Sequence, residues 1–301
     1  MKKRVLSAMP SQTIAEGALD AAQQTGELSY DGYKKVWSDE FNGDSLNRAD
    51  WNVETHEKGW VNDELQEYVD SAENIQVKDG KLIINPVKKV TDGDTGSTKE
   101  AASYTSGRVS TQNKQTFIYG RFECRAKVPK GQGYLPAFWL MANDENVYGQ
   151  WPRCGEIDCM EVMGQETNKA YGTIHYGNPH SQSQGIYTIT DGADFSDDFH
   201  IYTCDWEPGK ITWYVDGVKY HEESEWHSTT VGQGTLAYPA PFDQPFYIIL
   251  NLAVGGSWVG NPNDETSFEN NPYVIDYVRV YQKDSYDEDV KRPGKISLVM
   301  S

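Results

Sequence analysis

Seven residues, Gly155-Glu156-Ile157-Asp158-Cys159-Met160-Glu161, hold three carboxylates at a spacing that suits no regular element. On a strand Glu156 and Asp158 share one face while Glu161 points to the other. On a helix an offset of five sets the two glutamates about 140° apart. One extra residue, a β-bulge at Cys159-Met160, restores the phase and gathers all three acids on one face, and bulges are frequent beside active sites. Like charges a few ångströms apart raise the pKa of at least one member, so one acid keeps its proton while another is ionised. Cleavage of a glycosidic bond with retention needs that division: an ionised carboxylate attacks the anomeric carbon and a protonated one releases the leaving oxygen, about 5 to 5.5 Å away. Asp158, between the two glutamates, is placed to share a proton with Glu156. Acidic clusters are also ordinary oxygen ligands, so the same spacing fits a calcium site or a solvated acidic edge.

The elements that must carry these acids read as strands. Arg121 to Val128 alternates, with Phe122, Cys124, Ala126 and Val128 on one face and Arg121, Glu123, Arg125 and Lys127 on the other, the pattern of a half-buried strand. Asp216-Gly217 inside Ile211 to Tyr220, and Asp79-Gly80 between Asn74 to Val77 and Lys81 to Ile84, are two-residue type I′ turn signals and predict hairpins. Tyr247 to Val254 and Val274 to Tyr281 add two long strands, and no βαβ spacing appears. The expectation is an all-β chain, one β-sandwich or jelly roll of about 250 residues. It spans 34–283, after a leader or peripheral segment 1–33 with a weak helical period at Ile14, Ala18 and Ala21, and before a charged C-terminal tail 284–301.

Charge narrows the partners. With 27 basic against 45 acidic residues the formal charge is -18, which repels phosphate backbones and anionic headgroups. Nucleic acid and membrane are excluded as expected partners, sulfated or carboxylated polysaccharides are disfavoured, and a neutral polysaccharide fits. No apolar run approaches the roughly 20 residues that span a bilayer. Lys2, Lys3 and Arg4 resemble the start of a secretory signal, but the apolar stretch Val5 to Met9 is too short for one. Cys124, Cys154, Cys159 and Cys204 have no metal or redox spacing and are expected as free thiols. Gly255-Gly256-Ser257-Trp258-Val259 lacks the last glycine of a serine-hydrolase elbow, and His221-Glu222 is followed by Glu225 where a zincin needs its second histidine.

The acid cluster resembles the E-x-D-x-x-E signature of glycoside hydrolase family 16, in the bulged form of its laminarinases. Trp37-Ser38-Asp39-Glu40-Phe41-Asn42-Gly43, Asn62-Asp63-Glu64-Leu65-Gln66-Glu67-Tyr68, Tyr104-Thr105-Ser106-Gly107-Arg108, Tyr119-Gly120-Arg121-Phe122-Glu123, Pro136-Ala137-Phe138-Trp139-Leu140 and Leu252-Ala253-Val254-Gly255-Gly256-Ser257-Trp258 are similar to laminarinase segments, in the same order. The likeness covers about residues 36–282. It implies a β-jelly-roll of two antiparallel sheets with an open concave cleft. It also implies a retaining, endo-acting β-glucanase for β-1,3-glucan (laminarin), mixed-linkage β-1,3/1,4-glucan, or both. In it Glu156 is the nucleophile, Glu161 the general acid/base and Asp158 the assisting acid. Sugar platforms fall on Trp139, Trp151 and Trp258, with Trp206 and Trp213 left to the core. Asn62, Glu64 and Arg108 are expected on the non-reducing side, Asn251 near the cleavage point, and His175 on the leaving-group side. Catalysis needs no cofactor. A structural Ca2+ on the convex side is expected at Glu40, Gly80 and Asp276, two of the contacts being backbone oxygens, and the protein is expected to be an extracellular or cell-surface monomer. Leu135 stands where the family often has Trp, and Cys159 where an aliphatic residue is usual. The competing expectations are a non-catalytic β-glucan-binding module, whose representatives lack one or both glutamates, and a relative acting on galactan or xyloglucan.

Overall fold

In the computed structural model, residues 12–13, 20–21, 24, 26–90, 102–232 and 234–293 are described, and among them there is no helix. Short runs of alternating residues pair into two eight-stranded antiparallel sheets. The first, here the site sheet, runs Ser181–Thr188, Lys169–Tyr176, Glu156–Glu161, Tyr134–Ala142, Phe246–Val254, Arg108–Ser110 and Asn52–Val53, with Thr116–Phe117 also on Phe246–Val254. The backing sheet runs Val218–Glu223, Lys210–Val215, His200–Glu207, Gly120–Lys127, Tyr273–Lys283, Lys81–Ile84 and Ile75–Lys78, with Tyr33–Asp39 also on Tyr273–Lys283. The molecule is a β-jelly-roll sandwich.

Between the sheets every second residue is apolar and out of water: Phe138, Leu140, Ile157, Ile174 and Leu250 from one side, Phe122, Cys204, Trp206, Trp213 and Val278 from the other. Each such side chain stabilises the sandwich by about 1.5 to 3 kcal/mol relative to exposure. Trp206 and Trp213 are core residues, as expected, and all four cysteines are buried free thiols. Both hairpins form at the turn signals, with positive φ at Asp79 and Gly80 (52° and 71°) and at Asp216 and Gly217 (50° and 78°).

Strand Gly120–Lys127 differs from the half-buried expectation. Its apolar face is buried, but Arg121, Glu123 and Arg125 on the other face are at most 8% exposed. The upstream segment covers them. Ala21 and Leu28 pack on Ile201, the Arg125 Nε donates to the Ala21 carbonyl, and the Tyr30 hydroxyl donates to Glu123. Buried charge requires a partner. Arg121 is 2.7 Å from Asp205, Arg125 is 2.7 Å from Asp276, and Tyr277 donates to Glu123 at 3.0 Å. Ile14 and Ala18 of the expected helical period lie outside the described residues.

Candidate active site

The acids sit on Glu156–Glu161, an interior strand of the site sheet. Against Lys169–Tyr176, Glu156 pairs with His175, Asp158 with Thr173 and Glu161 with Tyr171, so three steps on one strand match two on the other. Against Tyr134–Ala142 the pairing passes from Asp158 opposite Trp139 to Met160 opposite Phe138, which leaves Cys159 as the extra residue. This is the bulge that the spacing predicts at Cys159-Met160. Ile157, Cys159 and Met160 are buried in the core, while Asp158 and both glutamates line the cleft.

A bulge leaves a backbone carbonyl out of the ladder. Here the Trp213 indole Nε1, reaching across the sandwich, donates to the Asp158 carbonyl at 2.8 Å. Gly172 makes room for the ring, since a Cβ there would lie 2.4 Å from Trp213 Cδ1. Trp213→Phe is therefore expected to lower unfolding stability by about 1 to 3 kcal/mol, the cost of a buried acceptor left without a donor. It should reduce kcat more than it raises KM, because the strand it supports carries the acids. Urea melts and steady-state kinetics check this; unchanged values in both show that the bulge holds without the indole.

The three acids have unlike surroundings. Glu156 Oε2 accepts from the Trp151 indole at 2.7 Å, and Oε1 lies 3.8 Å from His175 Nε2. The same Nε2 is 3.1 Å from Asp158 Oδ2, and Asp158 is 2% exposed. Burial first, then the Asp158 charge, push Glu156 up to about 8, against the opposing pull of His175 and the Trp151 donor. Burial and the charges of Asp158, Glu156 and Glu64 raise Glu161 well above the glutamate range, and every one of these influences acts in that direction. Glu161 is hence the acid that keeps its proton, and Glu156 the one with support for a negative charge. Burial alone would lower His175, but Asp158 and Glu156 overcome it and hold the ring cationic, at about 9.

The cleft, about 650 Å³, crosses the sheet on these acids. Cross-strand register builds it in rows. Arg108 pairs with Asn251, Asn251 with Ala137, and Ala137 with Glu161. Four residues along, past Trp139 opposite Asp158, Tyr247 pairs with Met141 and Met141 with Glu156. The polar rim is prearranged: Trp139 Nε1 donates to Asn251 Oδ1 at 2.7 Å, and Asn251 Nδ2 donates to the Tyr68 hydroxyl at 3.0 Å. Asn62, at φ 53°, directs its amide toward Glu64 at 3.4 Å, and Glu64 accepts from Gln66 at 2.7 Å.

Of the residues expected for substrate, Asn62, Glu64, Arg108, Trp139, Trp151 and Asn251 line this cleft, and so does Leu135. His175 and Trp258 are not on its wall. His175 sits behind the acids as their cation, and Trp258, 45% exposed, meets Tyr171 edge-on at 5.3 Å, one strand past Glu161. The sequence left out Glu54, His56, Trp60, Tyr68 and Tyr247, all on the cleft wall. His56 stacks on Trp60 with centroids 3.5 Å apart, and the Arg108 guanidinium lies over both Trp60 and Trp139, at 5.2 and 4.9 Å. The only sequence signal for Trp60 was that nine tryptophans are many for one domain; nothing local marked His56.

Arginines hold the side chains of the two acids expected near calcium. Arg279 takes both oxygens of Glu40, at 2.9 and 2.8 Å, and Arg125 takes Asp276. These pairs occupy side-chain oxygens alone: the two expected backbone contacts are not engaged by them, and Asp276 Oδ1, away from Arg125, lies 3.8 Å from Lys81 Nζ.

Comparison with known proteins agrees with this geometry. Residues 66–279 match the sequence profile described as glycosyl hydrolases family 16. Glucan endo-1,3-beta-glucosidase A1 of Niallia circulans is 40% identical over 84% of this chain, which spans 38% of that protein's length. Glucan endo-1,3-beta-glucosidase of Cryptopygus antarcticus is 39% identical, covering 81% of this chain and 90% of that one. The X-ray structure of endo-beta-1,3-glucanase from Pyrococcus furiosus superposes with a TM-score of 0.70 at 38% identity, covering 83% of this chain and 95% of that one.

Proposed function

The chain belongs to glycoside hydrolase family 16, and from that premise we propose that it is an endo-acting β-1,3(4)-glucanase that cleaves laminarin and mixed-linkage β-glucan with retention of configuration. One observation carries the reading: the bulge turns Glu156, Asp158 and Glu161 onto one wall of an open cleft while giving them different electrostatic surroundings. Protonated Glu161 donates its proton to the glycosidic oxygen as Glu156 attacks the anomeric carbon, which forms a covalent glycosyl-enzyme and frees the leaving chain. Glu161, now ionised, removes a proton from water, and the water displaces Glu156. Asp158 exchanges a proton with Glu156 as the nucleophile's charge is lost and regained, and the His175 cation balances the pair. Trp139 and Trp151 present ring faces to sugar C-H faces, and Arg108, Asn251 and Glu64 hydrogen-bond the hydroxyls. A cleft that crosses the sheet rather than ending in a closed pocket suits internal cutting. Calcium at Glu40, Gly80 and Asp276 has no part in it.

The -18 charge favours an uncharged polymer, and a polymer too large to be taken up intact is met outside the cell or at its surface. Thin-layer analysis on laminarin, barley mixed-linkage glucan, agarose and xyloglucan tests the substrate. Oligosaccharides of several lengths from the first two, and none from the last two, are the expected result. By NMR the first product is the β-anomer, since two inversions restore the configuration. Prompt α-anomer excludes retention, and release from agarose or xyloglucan alone overturns the substrate. No reducing ends from any glucan, with binding kept, would make the protein a glucan-binding module.

A further inference from the structure

The mechanism gives no task to His180, a ring that stands beside the acids. It is exposed, on the turn between Lys169–Tyr176 and Ser181–Thr188. Its Nε2 lies 2.8 Å from His175 Nδ1, and the two rings are nearly parallel, with centroids 5.1 Å apart and planes 16° apart. Two ring nitrogens this close hold one hydrogen between them, one donating and the other accepting. The opposite nitrogen of His175, Nε2, faces Asp158 at 3.1 Å and Glu156 at 3.8 Å. Toward the nearer of these, the Asp158 carboxylate, which only accepts, Nε2 carries a hydrogen. With a second hydrogen on Nδ1 the His175 ring is an imidazolium and His180 the acceptor. The electrostatics agree. The carboxylates hold His175 at about 9, while burial and then the His175 charge both lower His180 and keep it neutral. Trp151, the Glu156 donor, packs on His180 at 5.2 Å, so the two histidines and the indole form one cluster behind the nucleophile.

We propose that His180 is a positioning residue: by accepting the Nδ1 hydrogen of His175 it holds that ring as the cation facing Glu156 and Asp158, and so sets the pH above which Glu156 is ionised. The proposal rests on the assignment of Glu156 as nucleophile. The other charged or titratable groups around the histidine pair are Glu156, Asp158 and Glu161 on the acid strand, Glu145, which accepts from the Trp151 backbone, and His227, edge-on to Tyr176 on the loop bonded to Asn178. Glu223 adds a negative charge and Arg292 a positive one, both felt at Tyr176. Loss of the acceptor weakens the imidazolium. With less positive charge beside it, Glu156 ionises at higher pH, so the acidic limb of activity moves upward.

The test uses three enzymes, wild type, His180→Ala and His180→Gln, the last keeping an amide oxygen as acceptor. Two titrations are followed: the His175 ring by nitrogen-proton NMR, tractable with six histidines in the chain, and kcat/KM on laminarin. In His180→Ala the His175 midpoint is expected to fall, and the acidic limb to rise, each by roughly one pH unit, the size of one hydrogen bond to a charged group. His180→Gln should return both toward wild type. A structural role alone predicts a loss of the same factor at every pH with an unmoved His175 midpoint, and that result overturns the proposal. So does a moved midpoint with an unmoved limb. If Glu156→Gln remains active, the assignment of the nucleophile fails first; if Glu156→Gln is inactive and the limb of His180→Ala is unmoved, only the role of His180 falls.

Discussion

Glu156→Gln is expected to lower kcat on laminarin by about 10⁴-fold or more, the scale of losing a covalent nucleophile. The amide keeps the shape of the carboxylate and can still accept from the Trp151 indole, but it cannot form the glycosyl ester. The fold should hold, because Ile157, Cys159 and Met160, not Glu156, anchor this strand in the core. Burial and Asp158 already raise the Glu156 carboxyl to about 8, so a neutral group there costs the native state no favourable charge. Steady-state kinetics and a urea melt on the same preparation decide it. An intact variant with more than a few per cent of wild-type kcat ends the assignment of Glu156.

Glu161→Gln should cost about 10² to 10⁴-fold on glucan, the worth of a positioned general acid, and its effect depends on the leaving group. A glucan chain departs as a poor leaving group and needs the proton. An aryl β-glucoside with an acidic phenol does not, so the first step survives and the glycosyl-enzyme accumulates for want of a base. Azide, which needs no base, should then restore turnover and give the β-azide. Equal losses on both substrates, without rescue, would remove Glu161 from the acid/base role. The same variant carries a stability prediction. The native site holds Glu161 well above its ordinary range, so native stability from this group is full at acid pH and is lost as pH rises through the folded value. Glutamine cannot ionise. Thermal midpoints should therefore be similar at about pH 4 and higher for Glu161→Gln than for wild type at about pH 8; a variant less stable than wild type at the higher pH contradicts the raised carboxyl.

Much of the site was legible in the chain because it is written locally. Three acids out of phase with both a helix and a strand required a bulge, and the structure places the slip at Cys159. The Asp-Gly pairs at 79–80 and 216–217 became turns because those residues accept positive φ. Other features left no local trace. Arg121, Glu123 and Arg125 read as a solvated face, yet they are buried by residues about a hundred positions earlier, with Arg125 bonded to Ala21 and Glu123 to Tyr30. The side chains of Glu40 and Asp276 are held by arginines from other strands, pairings that nothing in their own segments announces. His180 is a lone histidine in a polar turn, and only the packing sets its ring on His175.

The sequence by itself determined the strand periods, the turns and the presence of three carboxylates on one face, because side-chain alternation and turn geometry depend on near neighbours alone. Tertiary structure decided which residues stand beside those acids and which charges each acid feels. Arg108, Asn251, Ala137 and Glu161 form one row although they come from four different strands, and a slip of one residue in any pairing would turn a strand's side chains to the other face. Desolvation and charge proximity depend on that register. What makes Glu161 hold a proton and Glu156 support a charge is therefore the folded arrangement of Trp151, Asp158 and His175, not the identity of the two glutamates.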